Sequence, residues 1–242
     1  MIEGGQRNQP IAKALAALDA AFARVTPPAS IDACPCCRTP RDYARLLDHP
    51  RSALTAADLS AYTFRALTTV GSATDFRYLA GRILQLLHTD DRAMPDMEVV
   101  YGKLRLAGWQ TWPEAEAVTS VMDALWAHQF TNDLPEGDIG AVLCALGTAQ
   151  GTVAHRLIDW SDLADAAKVR QLHDFVLRHC RVRGGTAVPS NAYWDRASEA
   201  YGELVEWLDG GAALGAVVAA FERSDDSQTL ELLGEIHSFL DR

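Results

Sequence analysis

No run of about eighteen apolar residues interrupts this sequence, so a membrane-spanning helix is not expected. Glycine and proline are sparse, 17 and 10 in 242 residues, which excludes collagen-like and low-complexity chains. Positive charge is the minority sign: 22 Lys and Arg stand against 32 Asp and Glu, a net of −10. Such a surface repels phosphate backbones, so sequence-independent binding to nucleic acid or to an anionic membrane is disfavoured. The opening MIEGGQRNQP lacks the basic start and apolar stretch of a secretory signal. Five cysteines, an odd number, do not make an extracellular disulfide framework. A cytoplasmic chain is therefore expected. Also missing are a G-x-x-x-x-G-K-[ST] phosphate loop, G-x-G-x-x-G, H-E-x-x-H, G-x-S-x-G and an Asp-rich calcium loop, which points away from the common enzyme classes.

What is present is apolar bulk, 48% of residues, enough for one large or two small globular domains. Its charge is uneven. Residues 1–121 carry 13 basic and 13 acidic side chains, whereas residues 122–242 carry 9 and 19. Residues 190–242 alone carry 3 and 11. An acidic face of this kind keeps a protein in solution, or meets a basic partner.

Apolar side chains recur at helical period almost throughout. Ile11, Leu15, Leu18, Phe22 and Val25 form one stripe after Pro10, and Pro27-Pro28 ends it. Thr55 and Thr74 are expected caps for the next two helices, Pro95 or Asp96 opens another that Gly108 closes, and Pro113 precedes a helix with Glu114 and Glu116 in its first turn. Further helices are predicted near 139–147, 151–160, 162–181, 191–208, 211–222 and 226–241, with Ser161, Ser190 and Asp225 as caps. The breaker-rich TNDLPEGD at 131–138 suggests two subdomains, 1–133 with a Cys-rich turn and an acidic 134–242, or one continuous domain. The fold class expected is all-α, an irregular array of antiparallel helical hairpins, HEAT-like or bundle.

Cys34-Pro35-Cys36-Cys37 holds a C-x-x-C on a turn between helices. Thiolates at this spacing can share a zinc ion, with His49 the nearest histidine, but a structural site needs four ligands and no second C-x-x-C exists. A redox pair normally follows a strand, and none is predicted here. Small thiols wedging a tight turn against the core are the remaining reading.

The stretch SIDACPCCRTPRDYARL and then ALTAADLSAYTFRALTTVGSATDFRYLAGRIL at 53–84 resemble a bacterial family of uncharacterised all-helical proteins with an N-terminal C-P-C-C turn. Asp58, Leu59, Tyr62, Ala66, Thr69, Gly71, Asp75, Phe76, Tyr78, Leu79, Arg82, Ile83, Leu84 and Trp112-Pro113 carry the resemblance, which covers about the first 130 residues. Ala80-Gly81 departs from it, standing where a proline before Arg82 is the family's pattern. The resemblance implies a helical fold and brings no activity with it.

Other polar groups offer weaker sites. His173-Asp174, with His155 upstream and Asp225 or Asp226 downstream, matches the ligand types of an HD-type metal phosphohydrolase, in which metal-activated water attacks a phosphoester. Helical spacing accounts for the same residues, since Asp174 lies four from both Arg170 and Arg178. Cys180 sits among Arg178, His179, Arg181 and Arg183 before Gly184-Gly185: either a cationic helix end with a glycine cap, or an activated, reactive thiol. His88, Asp90, Asp91 and Asp96 share one loop, as caps or as a weak metal site. Trp109 and Trp112 staple a helix junction or, if exposed, anchor an interface.

Together these features favour a non-enzymatic helical module that binds another protein, an acidic inhibitor or immunity-type partner of a basic one. The alternative is a metal- or thiol-dependent enzyme using Cys34, Cys36 and Cys37, with zinc as its cofactor, or the His155, His173 and Asp174 set.

Overall fold

The computed structural model describes residues 9–34, 41–89, 93–131 and 138–241. Among them the chain is all-α apart from one two-stranded antiparallel hairpin, as the periodicity predicts. It divides into two compact units, Met1–Leu125 and Trp126–Arg242. Residues 132–137 of the predicted breaker segment, Cys36 and Cys37, and Asp90 and Asp91 lie outside the described residues.

The first unit is built from α1 (Gln9–Phe22), α2 (Arg41–Asp48), a 3₁₀ turn (Arg51–Ala53), α3 (Ala56–Arg65), α4 (Ala73–Thr89), α5 (Met97–Leu106) and a 3₁₀ turn (Trp109–Thr111). Thr55 caps α3 in a full capping box with Asp58. Ser72 and Asp75, rather than Thr74, exchange the capping hydrogen bonds at the start of α4. Helix α4 is the hub, burying Phe76, Leu79, Ile83 and Leu84 and packing against α1, α3 and α5. It runs unbroken through Ala80-Gly81. A Cβ on Gly81 would stand 2.8 Å from Phe22 Cγ, so the missing side chain lets α1 pack close.

Two arginines brace this hub. Arg51 donates to the carbonyls of Phe22 (2.8 Å) and Tyr78 (2.9 Å), and Arg82 Nε donates to the carbonyl of Leu54 (2.9 Å). Arg77 forms a bidentate pair with the buried carboxylate of Glu114 at 2.9 and 2.8 Å. The predicted first-turn acid is thus an ion-pair partner in the core.

Helix α6 (Ala115–His128) runs through the division between the units. The second unit continues with α7 (Ile139–Gln150), α8 (Ala154–Leu157), a 3₁₀ turn (Ile158–Trp160), α9 (Ala166–His179), β1 (Cys180–Arg183), β2 (Thr186–Pro189), α10 (Glu199–Asp209), α11 (Ala212–Arg223) and α12 (Ser227–Leu240). Helix α7 is apolar on nearly every side, the pattern of a central helix. Around it α9 packs on α12, α12 on α11, and α11 on α10.

The helix expected at 162–181 instead starts at Ala166 under an Asp165 cap and ends at His179, and the chain then turns into the hairpin. Gly184 and Gly185, at φ +62° and +89°, are the two central residues of a tight turn that needs left-handed backbone at both, so they close a hairpin instead of a helix. Residues 191–198 are loop, with Ser198 rather than Ser190 capping α10, and Asp226 rather than Asp225 capping α12.

Candidate functional site

A cleft of about 470 Å³ opens in the second unit between α8, the following 3₁₀ turn, α10 and the start of α11. Leu157, Ile158, Trp207, Ala154 and Ala212 give it an apolar lining, and Glu203 and Glu206 add two carboxylates. Among the described residues no Lys or Arg lines it. Ile158, 67% exposed, stands at the cleft's open side.

The walls are held from behind. Trp160 is fully buried and stacks on Trp207, with centroids 5.8 Å apart and planes 27° from parallel. Its other face meets Phe175 at 5.3 Å, and Trp126 and Phe130 pack edge-on against it. Trp126 Nε1 donates to Asp159 at 2.8 Å, fixing the 3₁₀ turn that carries Ile158.

Glu203 is fixed as well. It accepts hydrogen bonds from the Thr152 hydroxyl, from Val153 N–H at 2.6 Å and from Ala154 N–H at 3.0 Å, and so satisfies the first amides of α8. Partial burial by itself raises its pKa, but the three donors outweigh that and hold the carboxyl below its ordinary range. One charge is therefore permanent at neutral pH, while Glu206 is exposed and unpaired among the described residues. Ser161 spends its hydroxyl on the Ile158 carbonyl, and the lining holds no histidine or cysteine to pair with a nucleophile. The arrangement suits binding of an apolar group flanked by a cation.

The residues that the sequence marks as sites lie elsewhere. Cys34 donates its backbone N–H to Thr69, and Gly71 donates to Asp32, so this segment runs beside 69–71; His49 is exposed. Gly71 packs on Tyr62 and Asp75, which gives three residues of the resemblance one structural task. Among the described residues no three His, Cys, Asp or Glu side chains converge as a metal-binding group. His173 pairs with Glu235, and Asp174 with Arg178 at 3.0 Å. His155 is at the cleft's edge beside Glu203, Asp226 is a cap, and His88 meets the Tyr101 hydroxyl at 2.9 Å.

Two expectations are corrected. Cys180 is buried at the first position of β1, and desolvation pushes its thiol well above the ordinary range, the opposite of activation by the neighbouring arginines. Trp109 and Trp112 are buried, and Trp112 packs against Phe22 and Phe76, so they are core staples and not exposed anchors. Helical periodicity does not single out the cleft residues Ile158, Glu203, Glu206 and Trp207, because it treats an isoleucine in a helix as core. The signal the sequence does carry is Glu203, Glu206 and Trp207 within five residues of an acidic segment. Comparisons with protein-family models, with curated proteins and with solved structures find no match to this chain.

Proposed function

We propose that this chain is a helical protein-binding module whose acidic second unit receives a basic partner protein, in the manner of an inhibitor or immunity-type protein. The observation that carries the reading is the cleft itself: an apolar lining ending in exposed Ile158, two carboxylates and, among the described residues, no Lys or Arg. The occupant this chemistry suits is a segment presenting an aliphatic or aromatic side chain next to Arg or Lys. The apolar group covers Ile158 and Trp207 while the cation meets Glu206 and Glu203. The net of −10 in residues 122–242 (9 basic, 19 acidic) adds long-range attraction and predicts faster association at low salt.

The test uses the full chain and a short Leu/Arg peptide, with a Leu/Glu peptide as control, followed through the Trp207 indole resonance. Saturable binding of the basic peptide alone is expected, weakened by salt and reduced at least about tenfold by Glu206→Lys and by Ile158→Asp. Equal binding of the two peptides, or no change in either variant, would overturn the reading.

A further inference from the structure

A second cleft, of about 380 Å³, lies wholly within the first unit, lined by Ala23, Val25, Pro27, Asp19, Ser52 and Gln85 together with Arg51, Arg82 and Tyr78. Both arginines are half-buried, and among the described residues neither is paired with a carboxylate. That combination calls for an explanation, since a cation withdrawn from water needs a counter-charge.

The hydrogen bonds already described account for where the guanidiniums sit and not for the charge left over. Arg51 spends one N–H on the Tyr78 carbonyl and one on Phe22; Arg82 spends one on Leu54 and one on Gln85 Oε1 (3.3 Å). A guanidinium has five donors, so each keeps three. Tyr78 and Arg82 stand one turn apart on α4, and the Arg51 guanidinium lies over the Tyr78 ring, 5.3 Å from its centroid. Two cations are thus held rigidly at one cleft by neutral acceptors. Rigid, forked donors of this kind match the oxygens of a tetrahedral oxyanion. Among the described residues Asp19 is the one carboxylate in the lining, which leaves the group positive by one formal charge.

We propose that this cleft binds a phosphate monoester, the phosphate between Arg51 and Arg82 and the remainder of a small molecule against Val25 and Pro27. The site is independent of the acidic cleft of the second unit.

Ser52 and Asp19 are exposed and take part in none of the arginine tethers, so they change the charge of the cleft without removing its braces. The experiment titrates the full chain with inorganic phosphate, then with glycerol phosphate and, in parallel, with vesicles containing phosphatidic acid, following the arginine Nε–H resonances. Saturable binding is expected, abolished in Ser52→Glu and tightened several-fold in Asp19→Asn, with both variants melting like the parent. Response to glycerol phosphate identifies a soluble ligand, and response to vesicles alone a lipid headgroup as the source of the same phosphate. Absence of any saturable response, or variants that bind like the parent, would overturn the proposal.

Discussion

Trp160 stacks on Trp207 with 5.8 Å between ring centroids, so a fully buried indole props the half-exposed one that lines the acidic cleft. Trp160 touches four other aromatic rings, and its own N–H is buried with no hydrogen-bond partner among the described residues. Trp160→Ala should cost roughly 3–5 kcal/mol, the range for removing a large core aromatic. Trp160→Phe should cost distinctly less, because it loses area but also removes an unsatisfied donor. Urea unfolding of both variants checks the order; equal losses would mean that the phenyl ring recovers none of the aromatic packing around position 160.

Helix α7 makes a second demand on shape. A Cβ on Gly140 would overlap the ring of His179, which stacks on Phe175 and whose Nε2 lies 3.4 Å from Asp138, the cap of α7. Gly140→Ala should therefore destabilise by roughly 1–3 kcal/mol despite alanine's better helix propensity. Adding His179→Ala should recover part of the loss, and the coupling from the double-mutant cycle measures the clash. Additive losses would mean that the two helices simply move apart.

The helices were legible in the sequence because burial of a stripe every three to four residues is a local pattern; Leu18, Leu59, Leu79 and Val217 fall on it and are all buried. Thr55 was legible for the same reason, since its capping box closes within three residues. The hairpin at 180–189 was not. Arg-rich β1 has only Cys180 buried, so it lacks the alternation of a half-buried strand, and Gly184-Gly185 serves a helix end and a tight turn equally well. The clefts were illegible for a different reason. Glu203 reaches back some fifty positions to the Thr152 segment, and Arg51 some thirty to the Phe22 carbonyl, contacts that no periodicity encodes. The Cys180 error has the same origin: charge along the chain puts arginines beside the thiol, while packing removes it from water.

That burial gives a direct chemical expectation. Native Cys180 should react with iodoacetamide at pH 7 far more slowly than a free model thiol, because the thiolate is disfavoured and the sulfur is covered. In urea the same residue should react at the ordinary rate. Mass spectrometry of the alkylated peptide spanning residue 180 distinguishes the two states. Native labelling as fast as the denatured control would restore the activated-thiol reading.

Glu203 sets the acid side of stability. In the folded chain its carboxyl is held below the ordinary value of 4.5, where partial burial acts to raise it and the Val153, Thr152 and Ala154 donors more than reverse that. A carboxyl whose pKa is lower folded than unfolded binds its proton more readily in the unfolded chain, so stability rises with pH across the interval between the two values. The contribution is complete above about pH 5, shrinks as pH falls from 4.5 through the depressed native value, and is gone below it. Glu203→Gln keeps a carbonyl acceptor but loses the charge, and should cost roughly 1–3 kcal/mol at pH 7. Urea midpoints for parent and variant between neutral pH and pH 3 should converge on the acid side. A difference that widened as pH fell would mean that Glu203 is protonated in the folded chain, and would leave the cleft with Glu206 as its one fixed carboxylate.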